Sequence, residues 1–319
     1  MAWLEVLSPG VFTTVQDSGR RGFAHLGVPA SGPMDAIAFR LANAVVGNTP
    51  DCAALELTAH GGRYRIGGGE CLLCVGGALE AQADGRLLAP WTGHRLPAGC
   101  ELVLGRVQRG LRAYLAVAGG VDVAPVMGSR ATLTRAALGG WRGRALMKGD
   151  RLPLGRDTGI GRRHCPHALL TPFYGAGPLA VVPGPQQDAF TATALYTFFH
   201  GRYRIGMQAD RMGYRLAGPA LAHRQGADMV SDAVVPGSIQ VPGNGQPILA
   251  LHDRQTTGGY PKIATLIGAE FPRVGQLRPG QGLGFRAVDA EEGLARWRRL
   301  QEGIAACLKS IQSTEVNWI

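Results

Sequence analysis

Pro247-Ile-Leu-Ala-Leu-His-Asp-Arg-Gln-Thr-Thr-Gly-Gly-Tyr-Pro-Lys-Ile-Ala-Thr-Leu-Ile267 changes character twice. Pro247–Leu251 is an apolar run with the length of a buried strand, and Ile263–Ile267 is a second short apolar segment. Between them stand Asp253, Arg254, Gln255, Thr256, Thr257, Tyr260 and Lys262, interrupted by Gly258-Gly259. The glycine pair lets backbone approach a ligand closely or take a positive φ. Polar groups this varied suit a small polar substrate, because each desolvated ligand atom needs its own partner. A solvated hairpin loop is the plainer reading of the same residues.

Lys262 separates the two readings. Of 33 basic residues only Lys148, Lys262 and Lys309 are lysines. Burial can lower the pKa of lysine, which then serves as base or proton donor, whereas arginine stays charged. Lys148 belongs to a Lys-Gly-Asp turn and Lys309 to a helical pattern, so Lys262 alone stands among reactive types. The structural alternative is an ion pair with Asp253.

Working outward, short strand-length runs dominate. The chain has 319 residues, enough for one large or two medium domains. Its 48 glycines and 20 prolines favour many short strands and tight turns. Leu72–Val75, Leu79–Ala83, Leu102–Leu104 and Arg112–Val117 read as strands, and Asp84-Gly85 as a hairpin turn. A turn followed by a strand recurs at Leu96–Leu102, Met147–Leu152 and Leu277–Leu283, as two related barrels in tandem would produce. The expected division is a β domain over 1–155, a linker over 156–178, and a second β domain with a terminal helix over 179–319. Helices are expected at about 34–46, with Ser31-Gly-Pro33 offering a cap and Gly47 a stop, at 187–199, and at about 290–311. Asp289 and Glu292 have capping-box spacing. Leu294, Trp297, Leu300, Ile304, Leu308 and Ile311 form a stripe that packs on the protein's own barrel or on a partner protein.

The net charge of +10 suggests nucleic acid at first sight. No run of five basic residues and no aromatic-interleaved basic stripe accompanies it, so attraction of small anionic substrates is the better expectation. No apolar stretch approaches a membrane span, and the first residues lack the pattern of a signal peptide. The six cysteines lack zinc-site spacing and read as core thiols of a reducing, cytoplasmic setting. No metal site is expected.

A second polar cluster lies near the start of the chain: Gln16, Asp17, His25, Ser31 and Asp35. Ser31 and Asp35 fall at a helix start, where backbone N–H groups favour a bound carboxylate or phosphate; ordinary capping is the alternative. In Asp210-Arg-Met-Gly-Tyr-Arg215, the forks of Arg211 and Arg215 with Tyr214 suit a carboxylate or phosphate, or an arginine pairs with Asp210. Ser238 and Gln240 share one strand face. No P-loop, dinucleotide fingerprint, Gly-x-Ser-x-Gly elbow or His-Glu-x-x-His is present.

These residues carry a resemblance. Thr14-Val-Gln-Asp17, His25-Leu-Gly-Val-Pro29, Ser31-Gly-Pro-Met-Asp35, Ala54-Leu-Glu56, Gly184-Pro-Gln186, Asp210-Arg-Met-Gly-Tyr-Arg-Leu216, Ile239-Gln-Val-Pro242 and Asp253-Arg-Gln-Thr-Thr-Gly-Gly-Tyr-Pro-Lys262 are among the matching motifs. Together they resemble the biotin-dependent carboxyltransferase family, also called KipA-like or allophanate hydrolase subunit 2-like, over roughly residues 3–286.

The resemblance implies a mainly β fold of two cyclophilin-like β-barrel domains. It implies the role of the C subunit in an ATP-dependent 5-oxoprolinase, which opens 5-oxo-L-proline to L-glutamate with a KipI-like B subunit and a third, A subunit. ATP with Mg is then expected at the level of the complex. Two alternatives stay open: the carboxyltransferase component of a biotin-dependent urea carboxylase, which needs biotin, and a KipA-like regulator that binds a KipI-like kinase inhibitor. The chain's length matches a stand-alone subunit. Asp253, Lys262 and Asp17 are the expected proton-handling groups. Gln16, His25, Ser31, Asp35, Arg211, Tyr214, Arg215, Gln240, Arg254, Gln255, Thr256, Thr257, Gly258, Gly259 and Tyr260 are the expected substrate contacts, with both polar loops gripping one small lactam or amide.

Overall fold

A computed structural model describes residues 1–157 and 163–313, with side chains to Ile311. The chain divides into two compact units. The first comprises Met1–Arg20, Ser31–Pro172 and the end of the chain from Gly303; the second comprises Arg21–Ala30 and Phe173–Glu302. They interleave where consecutive domains were expected. The expected linker is a case in point, apart from 158–162, which lie outside the described residues. Gly93 N–H donates to the Arg163 carbonyl and Cys165 N–H to the Trp91 carbonyl, so 163–165 is sewn to a strand of the first unit. The Cys165 side chain is fully buried.

The first unit is one nine-stranded sheet. Its centre is a long antiparallel pair, Cys71–Ala83 with Glu101–Val117. Each of these absorbs two of the expected short strands. Bulges near Gly76–Ala78 bend the first without ending it, which is why the pattern looked broken. Asp84-Gly85 closes the expected hairpin, with φ of 46° and 79°, before Arg86–Leu87 returns along Gln82–Ala83. Leu4, Val6, Val15, Leu55, Leu57, Leu73, Leu102, Leu104 and Leu115 are fully buried in one cluster. Each contributes about 1.5–3 kcal/mol by leaving water.

The second unit is an eight-stranded sheet, antiparallel except where Leu179–Pro183 lies parallel to Phe285–Ala287. Its core includes Phe198 stacked on Phe285 at 4.6 Å. A separate two-stranded ribbon pairs Asp232–Ala233 with Thr257–Gly258. The three recurring turns all form. Gly99, Gly149 and Gly280 hold φ of 89°, 89° and 82°, conformations that other residues rarely adopt.

The expected helices form with shifted ends. The first runs Ala36–Val45. Its cap is Asp35 and not Ser31, which sits four residues earlier at a φ of 55°. Gly47, at a φ of 75°, follows its end as expected. The expected 187–199 helix splits into a turn at Gln187–Ala189 and a helix at Ala192–His200 capped by Thr191. The last helix spans Ala290–Ser313, and Asp289 accepts the Glu292 N–H at 2.7 Å. Ile304 and Ile311 of its stripe are buried, whereas Leu294 and Trp297 stay about half exposed. Among the described residues no helix is long and apolar enough to cross a membrane.

All six cysteines are unbonded, and five of them are buried. Burial pushes the Cys71 and Cys165 thiols up to about 12 and Cys100 to about 11, and raises Cys74 and Cys307.

Candidate active site

The 252–262 loop lies wholly in the second unit, between the strands Ile248–Ala250 and Lys262–Leu266. Lys262 opens the second of these strands, in register with Gln240. Its side chain is almost fully buried. The ammonium donates to the Asp232 carboxylate and to the Ala233 carbonyl, the latter at 3.0 Å. Asp232, 47% exposed, is held below the usual carboxylate range, chiefly by that lysine. Gln186 spans the pair: its carbonyl accepts the Lys262 N–H at 3.2 Å and its amide donates to Asp232 at 3.3 Å.

The alternative for Lys262, an ion pair with Asp253, does not form. Asp253 takes a two-pronged ion pair from Arg211 instead, at 2.9 and 3.1 Å, with both side chains buried. That also corrects the Asp210–arginine alternative, since Asp210 accepts the Met212 and Gly213 N–H groups and closes a turn. Fork geometry explains the choice, because a guanidinium meets both carboxylate oxygens at once and an ammonium meets one.

Arg254 is 8% exposed. Its Nε donates to the Val234 carbonyl at 2.9 Å, and its Nη1 is buried with no hydrogen-bond partner. Burial pulls the guanidinium down to about 10, against the opposing pull of Asp253, and leaves it charged at neutral pH. The 232–234 segment thus grips two buried cations, Lys262 through Asp232 and Ala233 and Arg254 through Val234. Val234 N–H in turn bonds the Thr256 carbonyl at 2.9 Å, which ties the segment to the loop.

Gly258 lets two glutamine side chains approach the backbone closely. A Cβ on it would lie 2.8 Å from the Gln240 amide nitrogen and 3.1 Å from that of Gln255. Gln240 is buried and donates to the Tyr260 carbonyl at 3.2 Å. Gln255, Thr257 and Tyr260 face outward, and Thr256 and Gly259 are half-buried. The structure therefore brings Lys262, Arg254, Gln240, Asp253, Arg211 and the loop glycines into one neighbourhood. It does not bring in Tyr214, which is fully buried with its hydroxyl on the Val274 carbonyl at 3.3 Å, or Arg215, which alternates to the exposed face of the same strand. His25 sits exposed on a short turn at Ala24–Leu26.

In the first unit, Asp17 ties its own loop to the distant Ser129–Arg130 segment. It accepts Ser129 Oγ at 2.6 Å, the Gly19 N–H at 2.9 Å and the Arg130 N–H. Gln16 donates to Thr14 and to the Thr132 carbonyl, while its Oε1 is buried without a partner. The buried Ser31 hydroxyl is likewise unpartnered. Asp35 accepts the Ile37 and Ala38 N–H groups at 3.1 and 3.0 Å. Its own N–H donates to Tyr114, whose hydroxyl donates to Glu56, and Glu56 accepts the Met34 N–H. Asp17 and Asp35 therefore act as loop and helix anchors within their unit.

The model of the carboxyltransferase domain, subdomain A and B, matches residues 26–287. The chain belongs to this carboxyltransferase family. It is 40% identical to the C subunit of 5-oxoprolinase from Escherichia coli over 91% of this chain and 93% of that protein. The C subunit of 5-oxoprolinase from Haemophilus influenzae is 33% identical over 94% and 95%. Among solved structures, a urea amidolyase of K. lactis superposes with a TM-score of 0.89 at 30% identity over 99% of this chain, which spans 20% of that chain.

For this carboxyltransferase chain the reading of single residues missed Asp232, which lies in a short exposed segment flanked by valines, 30 positions from Lys262. Nothing local marks it. Gln186 and Glu56 were quoted within motifs but given no role. Both are polar residues close to apolar strand positions, the one signal that would have flagged them.

Proposed function

We propose that this chain is the C subunit of an ATP-dependent 5-oxoprolinase, acting with a KipI-like B subunit and a third, A subunit to open 5-oxo-L-proline to L-glutamate. The observation that carries this reading is the end-to-end likeness to the C subunit of 5-oxoprolinase, with 91% of this chain aligned to 93% of that protein. The Lys262–Arg254 neighbourhood supplies matching chemistry. Lactam opening develops negative charge on the carbonyl oxygen and sends a proton to the departing nitrogen. Buried cations and amide donors stabilise the first, and the Lys262–Asp232 pair manages the second. Asp253, fixed by Arg211, positions the loop and does not carry the proton.

ATP supplies the activation of the lactam when bound to the complex. The buried cations here do not fit a triphosphate, because Lys262 is already tied to Asp232 and Arg254 is left as one charge against three or four. We therefore assign the nucleotide to a partner protein of the complex, and no step of this chain runs through it.

Co-expression with the B and A subunits, followed by a coupled ATPase assay with 5-oxoproline, tests the proposal. Glutamate is expected from the reconstituted complex and not from this chain alone; robust turnover by the chain alone would refute it. The likeness to urea amidolyase keeps a second reading in view. Carboxylation of urea that avidin blocks would favour that reading, and 5-oxoproline turnover in excess avidin would exclude it.

A further inference from the structure

We propose that Arg254 is the anchor for a carboxylate carried by the substrate, and that this contact separates a carboxylated lactam from an uncharged amide such as urea. The inference rests on the 5-oxoprolinase reading and names what that site recognises.

The second unit buries five charged side chains: Arg211, Asp253, Arg254, Lys262 and Glu270. Arg211 and Asp253 neutralise one another. Lys262 is neutralised by Asp232, and Glu270 by Arg273 at 2.5 Å. Among the described residues Arg254 alone of the five has no carboxylate at ion-pair distance. The adjacent Asp253 pulls on it only through space, since both Asp253 oxygens lie on the Arg211 fork. An isolated buried charge is costly and is retained where a ligand completes it.

The geometry narrows the ligand. One arm of the guanidinium, Nε, is fixed on the Val234 carbonyl, and Nη1 is the buried atom without a partner. A single buried positive charge without an ion-pair partner calls for a monoanion, which a carboxylate satisfies and a phosphate dianion does not. Lys262, Gln240 and the close-packed Gly258 backbone belong to the same neighbourhood, where the neutral amide end of such a molecule is met by donors.

The test compares 5-oxoproline with its uncharged analogue 5-oxoprolinamide in the reconstituted complex, for wild type, Arg254→Gln and Arg254→Lys. The ratio of the two kcat/KM values is the readout. Wild type is expected to prefer the acid, Arg254→Gln to lose that preference by about 100-fold, mainly through KM, and Arg254→Lys to keep part of it because the charge remains. Equal losses on both substrates, with the ratio unchanged, would overturn the anchor and leave Arg254 a structural residue. A complex that opens no 5-oxoproline would sink the functional reading instead. The anchor is then decided by thermal shift of the chain: 5-oxoproline must raise its melting temperature more than the amide does, and Arg254→Gln must erase the difference, or the anchor falls too.

Discussion

Lys262 is tied to Asp232 and to the Ala233 carbonyl, and that tie sets what its substitution does. Asp232 is half exposed, so water replaces the lost ammonium when the lysine is removed, and the structural cost is small. Lys262→Ala should lower turnover of the reconstituted complex by about 100-fold or more while moving the melting temperature only a few degrees. Lys262→Arg keeps the charge but removes an accessible proton. Activity surviving in the arginine variant would make Lys262 an electrostatic anchor. A large fall in melting temperature with the rate spared would make it a packing residue. The near neighbour Asp253 offers a contrast, because Asp253→Asn deprives the buried Arg211 of its carboxylate. Such variants lose about 3–5 kcal/mol, which denaturant titration would read.

At the scale of elements, the first helix tests whether its polar start is scaffold or binding site. Asp35 caps two N–H groups and is itself fixed through Tyr114 and Glu56. Asp35→Ala should cost about 1–2 kcal/mol, read as a lower melting temperature, whereas Asp35→Asn, another good cap, should recover most of it. If Asp35→Asn instead abolished turnover at unchanged stability, a substrate contact would be the better description. Elements of this kind were legible where the signal is local. Asp84-Gly85 names its own turn, and Asp289 its own cap. Pairings across distance were not legible. Arg211 meets Asp253 across 42 positions, and Lys262 meets Asp232 across 30, with no periodic pattern linking either pair. The polar 252–262 loop was visible as a site because its residue types are unusual together. Which of them face one another is set by the ribbon of Asp232–Ala233, too short to show in a sequence.

For the whole molecule, acid stability follows from carboxylates held below their usual range. Burial pushes Asp150 up, but the Arg144 guanidinium, at 2.7 Å to each oxygen, and the Met147 N–H outweigh it and hold the carboxyl at about 2. A folded pKa below the unfolded one means that Asp150 stabilises above the unfolded value near 3.8. That contribution is lost as the pH falls from there toward about 2. Melting temperatures measured from about pH 6 to about pH 2.5 should therefore decline, and Asp150→Asn should start lower by several degrees and decline less steeply. Parallel curves for the two proteins would remove Asp150 from the account.

The distribution of thiols has a practical consequence for chemical probing. A maleimide reacts with the thiolate at an accessible sulfur. Cys71, Cys74, Cys100, Cys165 and Cys307 are both buried and raised away from ionisation, whereas Cys52 is partly exposed between Asp51 and Ala53. The native chain should thus behave toward such a reagent as though it held one cysteine. Intact mass after brief labelling at neutral pH is expected to show a single adduct, and Cys52→Ser none, while denaturant should bring the count to six. A fluorophore placed this way requires no engineered background, and the arrival of second and later adducts over time becomes a clock for the opening of the cores that shelter the other five.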